Sequence, residues 1–226
     1  MKSPLTGKLK IGVLASGRGS NFQAIIDGIK NGRINAEIAL LITDKPDAYA
    51  IQRARDNKIP CLYLNPRDYP TKDKYFEKIA GELAASGAGL VLLAGFMRIV
   101  RKPLLGAFPW KVMNIHPALL PSFPGLHGQK QAADYGVKIS GCTVHFVDEG
   151  MDTGPIIIQA AVPARDDDTE EALSERILEY EHKIYPEAVR LFAEGRLEVK
   201  GRRVVIKGPE QEQKGAAMIN PPIEVF

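Results

Sequence analysis

A chain of 226 residues is long enough to bury one sizeable core, and 45% hydrophobic with 25% charged residues excludes a disordered or fibrous class. Lys and Arg number 30 against 27 Asp and Glu, a net charge of +3. That is too small to argue for nucleic acid or an anionic membrane, but it leaves room for a local basic pocket facing a small anion. Cys61 and Cys142 stand far apart in no paired motif, which excludes a disulfide framework and points to a reducing compartment. The first ten residues contain no apolar segment of the signal-peptide kind, and the apolar runs are too short to span a bilayer. A cytoplasmic protein is expected.

Apolar runs alternate with helical patterns along the first half. Strands are predicted at 9–15, 37–43, 60–64 and 90–94, and helices at 21–30, 48–57 and 71–85. Strands alternating with helices predict crossovers and a largely parallel sheet covered on both faces. A further strand is predicted at 111–115. Residues 117–128 contain Pro117, Pro121 and Pro124 and are expected to form a loop. Strands at 140–147 and 155–161 then form a hairpin across the polar turn 148–154.

A last long helix starts at Asp168-Thr169-Glu170-Glu171 and carries Leu173, Ile177, Tyr180, Ile184, Ala188 and Leu191 at core-facing spacing. Pro186 removes a backbone donor inside it, which predicts a kink near Glu181 to His182. Residues 197–200 and 203–207 flank a Gly201-Arg202 turn, a small terminal hairpin. The expected fold class is α/β, Rossmann-like, with a mostly parallel central sheet flanked by helices and antiparallel strands in the second half. One domain with an ordered core at 8–207 and a poorly ordered tail at 208–226 is expected.

Ser16-Gly17-Arg18-Gly19-Ser20-Asn21 follows the first strand and opens the first helix. Glycines there let a backbone approach a ligand, and free N–H groups at a helix start suit a phosphate. Ser20 and Asn21 are also good helix caps, so a purely structural turn is the other reading. The dinucleotide fingerprint fails at Phe22, where Gly or Ala is required, and the ATP-type loop fails because Gly-Ser-Asn stands in place of Gly-Lys-Ser/Thr.

Asn114-Ile115-His116-Pro117 ends a predicted strand, the place where open α/β sheets bind ligands. Two residues apart, Asn114 and His116 project from one face. An amide beside an imidazole suits acyl transfer, the amide N–H stabilising an oxyanion and the imidazole moving a proton. The structural alternative makes Asn114 a turn cap and His116 a satisfied buried histidine. Asp152 lies in the 148–154 turn, where it either raises the pKa of an imidazole or bonds its own backbone. His145, on a strand, and His182, off the apolar stripe of its helix, read as structural, and His127 lies in the proline loop. The histidines show no zinc spacing, and no Gly-x-Ser-x-Gly elbow occurs.

Together, Leu93-Ala94-Gly95-Phe96-Met97-Arg98-Ile99, Asn114-Ile115-His116-Pro117-Ala118-Leu119-Leu120-Pro121, Val144-His145-Phe146-Val147 and Asp152-Thr153-Gly154-Pro155-Ile156 resemble the folate-dependent formyltransferases. The resemblance runs from about Lys10 to the terminal hairpin. It implies formyl transfer from 10-formyltetrahydrofolate as co-substrate, with no metal. Asn114 would bind the formyl oxygen, His116 would move the proton, and Asp152 would raise the His116 pKa. The Gly17-to-Asn21 loop is similar to that of the purine-pathway branch, which implies glycinamide ribonucleotide as acceptor. Gly19, Ser20 and Asn21 would then hold its phosphate and Glu181 its ribose hydroxyls. Met97, Arg98, Ile99 and Val100, with Asn114, would line the folate pocket. Lys72 stands where relatives carry Arg near the folate tail, keeping the charge without the bidentate fork.

Transferases of that family acting on tRNA carry a large extra C-terminal domain, and the hydrolases of formyl folate an extra N-terminal one. Neither is expected here, although hydrolysis remains the alternative activity. Small-molecule substrates, no nucleic acid, no membrane, and a monomer or homodimer complete the expectation.

Overall fold

The computed structural model describes residues 7–208. Its strands are β1 (Leu9–Leu14), β2 (Ala36–Thr43), β3 (Cys61–Tyr63), β4 (Leu90–Leu93), β5 (Val112–His116), β6 (Ile139–Phe146), β7 (Ile156–Pro163), β8 (Leu197–Lys200) and β9 (Arg203–Ile206). The helices are α1 (Ser20–Lys30), α2 (Tyr49–Asp56), α3 (Lys72–Ala85), α4 (Lys102–Ala107), α5 (Gly128–Tyr135) and α6 (Glu170–Ala193). All nine of these strands join one sheet, in the order β3-β2-β1-β4-β5-β6-β7-β9-β8. Strands β1 to β5 pair in parallel, and β6 then turns antiparallel to β5.

The apolar runs of the first half have a direct cause. In β4, Leu90 and Leu92 enter one core while Val91 and Leu93 enter the other. The first core packs β1, β5 and β6 under α1 and α6; the second packs the opposite face under α3 and α4. A strand covered on both faces has no solvent side to alternate with.

β1 lies between β2 and β4, so the chain reverses its direction of travel across the sheet after β3. The crevice beyond the carboxyl ends of β1 and β4 is the ligand position of such sheets. The loops leaving those strands are joined across it: Ser16 N–H donates to Gly95 O at 3.0 Å, and Met97 N–H to Ser16 Oγ at 3.0 Å.

The predicted strands and helices are all present, with ends shifted by one or two residues. Three elements had not been expected: a short 3-10 turn at Pro66–Asp68, α4 and α5. Helix α6 continues through Pro186 as one element to Ala193. The tail expected at 208–226 lies, beyond Gly208, outside the described residues. Among those residues no helix is long and apolar enough to cross a membrane.

Helix α6 is fixed to the sheet through β4 and β5. The fully buried Tyr185 hydroxyl reaches Leu93 O at 3.1 Å and Met113 O at 3.0 Å, the last residue of β4 and the second of β5. Its single proton is shared between two carbonyls in a water-free setting. Tyr185→Phe is therefore expected to destabilise the protein by about 1–3 kcal/mol in urea unfolding. An unchanged midpoint would show that this contact contributes nothing.

Candidate active site

Asn114 and His116 leave the same face of β5, opposite the face that sends Met113 and Ile115 into the core. The antiparallel register sets Asn114 against His145 and His116 against Thr143 on β6. Thr143 fixes the chain beyond His116: its hydroxyl donates to Ala118 O at 2.7 Å and accepts Leu120 N–H at 3.1 Å. The turn between β6 and β7 then carries Asp152 back over the end of β5. Gly154 in that turn passes so close to Phe146 that a Cβ there would overlap the Phe146 carbonyl oxygen.

The expected trio is brought together. Asp152 Oδ2 lies 3.5 Å from His116 Nδ1 and accepts Gly125 N–H at 2.8 Å. Asp152 has φ 53°, a left-handed conformation rare for a residue with a side chain. The opposite edge of the His116 ring is engaged too, Nε2 lying 2.8 Å from Phe123 O. A carbonyl can only accept, so Nε2 carries a proton and Nδ1 is the position left to gain or lose one.

His145 joins this cluster, which the sequence reading as a structural strand histidine had missed. Its Nδ1 lies 2.9 Å from Phe146 O, so Nδ1 bears the proton. Its Nε2 is then free to accept from Asn114 Nδ2 at 3.2 Å, and it lies 3.6 Å from Asp152 Oδ1. This contact sets the Asn114 amide, because the flipped orientation would oppose a carbonyl oxygen to a lone pair. One amide hydrogen faces His145, and the other remains available to an oxyanion.

Burial alters the expected electrostatics. It holds the His116 pKa below the ordinary histidine value, although Asp152 and the Phe123 carbonyl both act to raise it. Asp152 acts to raise this pKa, as expected, and burial outweighs it. For Asp152, burial acts upward, but the neighbouring His145 ring, the Gly125 N–H and the His116 ring outweigh it and hold the carboxyl below the usual range. His116 at rest is a neutral imidazole beside a carboxylate.

At the end of β1, Gly19 occupies the N-cap of α1 with φ 65°. Neither Ser20 nor Asn21 caps that helix, so the capping role expected of them is not the one they play. Ser20 is its first residue, and the Asn21 side chain instead donates to Glu181 Oε2 at 2.7 Å. Both partners are buried, and Asn21 Oδ1 has no protein partner. Burial raises the Glu181 pKa, and the Asn21 hydrogen bond only partly offsets this.

Beyond β4, Met97 and Ile99 are 62% and 61% exposed, while Val100 is buried. This offers an apolar surface at the mouth of the crevice. Arg98 between them is held by Asp44, Nε to Oδ2 at 2.6 Å, over the Tyr75 ring. Lys72 is exposed at the start of α3; its neighbour Asp73 lies 3.9 Å from Arg101, just past the Met97–Val100 segment. His127 is exposed at the N-cap of α5 and His182 is half-buried on α6.

Residues 9–189 match the family described as Formyl transferase. The chain belongs to the formyl transferase family. Among curated formyl transferases, the phosphoribosylglycinamide formyltransferase of Bacillus subtilis (strain 168) is 45% identical over 181 residues, covering 80% of this chain and 93% of the relative. The trifunctional purine biosynthetic protein adenosine-3 of Drosophila melanogaster is also 45% identical, over 188 residues and 82% of this chain, and the match spans only 14% of its length. The crystal structure of glycinamide ribonucleotide transformylase 1 from Symbiobacterium toebii superposes with a TM-score of 0.88 at 54% identity, covering 89% of this chain and 95% of that one.

The His116 shift makes a stability prediction. With its folded pKa depressed, the native protein binds fewer protons than the unfolded chain between that value and about 6.5. Stability from this site is present above about pH 6.5 and is lost as pH falls through the folded value. His182, also depressed by burial, acts in the same direction. Urea unfolding at pH 7 and pH 5 is expected to show a smaller acid loss in His116→Asn than in the parent. An identical loss would contradict the depressed value.

Proposed function

We propose that this formyl transferase moves the formyl group of 10-formyltetrahydrofolate to the glycine amine of glycinamide ribonucleotide, a cytoplasmic step of purine synthesis. The observation that carries this reading is the clustering of Asn114, His116, Asp152 and His145 at one sheet edge. That edge also bears the glycine loop and the exposed apolar Met97–Val100 segment. The names carried by relatives matching along nearly their whole length support the same acceptor.

In the reaction, the amine nitrogen bonds to the formyl carbon and the bond from that carbon to the folate nitrogen breaks. One proton leaves the amine and one reaches the folate nitrogen. The free N–H of Asn114 faces the oxygen on which negative charge develops. His116 starts neutral, takes the amine proton at Nδ1, and becomes a cation beside the Asp152 carboxylate. Return of that proton to the leaving nitrogen restores the resting pair. Asp152 thus offsets the cost of charging a buried imidazole, and His145 holds the Asn114 amide in its donating orientation.

Around this centre, the N–H groups of Gly19, Ser20 and Asn21 receive the phosphate. Glu181, with Asn21 bonded to it, accepts from the ribose hydroxyls. Met97, Arg98, Ile99 and Val100 hold the folate ring system, and Lys72 lies toward its anionic tail as a point charge.

Absorbance of formyl-folate consumption, with and without glycinamide ribonucleotide, tests the proposal. Consumption is expected only with the ribonucleotide, and formate release at a comparable rate without it would favour hydrolysis. Asn114→Ala is expected to lower kcat by about 10²–10³-fold, the usual effect of losing one oxyanion donor. Turnover within a few-fold of the parent would remove Asn114 from the chemistry.

A further inference from the structure

The glycine loop is braced from behind by α2, and the brace centres on a side chain that the chemistry does not use. Arg53 Nε donates to Arg18 O at 2.8 Å, and Nη1 donates to Gln23 Oε1 at 3.1 Å. Gln23 in turn donates to Asp27 Oδ1 at 2.8 Å, so the fork ties loop, α1 and α2 together. The guanidinium lies over the Tyr49 ring, 5.0 Å from its centroid. One turn earlier on α2, Ala50 N–H donates to Gly17 O at 3.1 Å. Gly19 rests on the same residue: a Cβ there would come within 2.9 Å of Ala50 Cβ.

These contacts have a consequence set by peptide geometry. In a planar trans peptide the C=O and N–H point in opposite directions. Drawing the Gly17 and Arg18 carbonyls onto α2 therefore turns the Arg18 and Gly19 N–H groups away from it. The Gly19 carbonyl is taken by Gln23 N–H at 2.9 Å, which leaves the Ser20 N–H at the open start of α1. The N–H groups of Arg18, Gly19 and Ser20 face outward because the carbonyls preceding each are held, and two of them, Gly19 and Ser20, are the proposed phosphate donors.

We propose that Arg53 is a positioning residue for the phosphate of the acceptor: by holding the Arg18 carbonyl it aims the loop N–H groups at that phosphate, without itself entering the formyl transfer. This rests on the reading that the Gly19-to-Asn21 loop receives the phosphate. Lys at this position keeps a charge, with its donors on a single nitrogen, but cannot bond Arg18 O and Gln23 Oε1 in a fixed planar fork.

The test compares glycinamide ribonucleotide with its dephosphorylated ribonucleoside as acceptor, in the full chain and in Arg53→Met and Arg53→Lys. The quantity read is the ratio of the two kcat/KM values. The parent is expected to favour the ribonucleotide strongly. Arg53→Met is expected to lower the ratio at least tenfold, through KM for the ribonucleotide, with KM for formyl folate within twofold. Arg53→Lys is expected to fall between. A general folding defect would depress both acceptors together and leave the ratio unchanged, and that result overturns the inference. Full recovery by Lys also overturns it, since charge alone would then suffice. A parent that does not distinguish the two acceptors overturns the phosphate reading itself, and the role of Arg53 with it.

Discussion

The site depends on how the Asp152 carboxylate is held. One oxygen accepts the Gly125 N–H and faces His116 Nδ1, while the other faces His145 Nε2. Each contact comes from a different part of the chain: the proline loop, the end of β5, and β6. They meet only because β6 runs antiparallel to β5 and its turn folds back over the parallel half of the sheet.

Two opposing effects then share control of His116. Burial favours the neutral ring, and Asp152 favours the cation. With burial prevailing at rest, the imidazole is neutral, which is what the proposed base role asks of it, and the carboxylate would lower the cost of charging it. The acceptor side uses a similar economy of partners. Asn21 gives its amide to Glu181 and so links the glycine loop at β1 to α6, while Arg98 is held by Asp44 beside the exposed Met97 and Ile99. Asn21 and Arg98 are thus each oriented by a carboxylate partner.

Much of this was legible in the sequence. The apolar runs gave the parallel half of the sheet because strands buried on both faces carry no alternation. Asn114 and His116 could be assigned to one face from their spacing alone. The role of His145 was not legible in isolation, because it is set by a register between distant strands. A signal did exist: in β6, Thr143 and His145 alternate with the core residues Cys142, Val144 and Phe146, the pattern of a strand with one polar face. Helix α5 escaped notice because its N-cap is His127 in a left-handed conformation, with no side-chain cap to announce it. Ser20 and Asn21 resembled caps by residue type, yet the cap position fell to Gly19. The direction of the His116 pKa depends on how deeply the ring is enclosed, which spacing does not reveal.

The arrangement requires the two histidines to carry their ring protons on opposite nitrogens. Nitrogen-15 NMR of labelled protein reads this directly. His116 is predicted to be protonated at Nε2 at neutral pH and to gain its second proton at Nδ1 only below the ordinary histidine range, while His145 carries its proton at Nδ1. Finding His116 as the Nδ1–H tautomer, or already doubly protonated at neutral pH, would contradict the proposed proton path between His116 and Asp152.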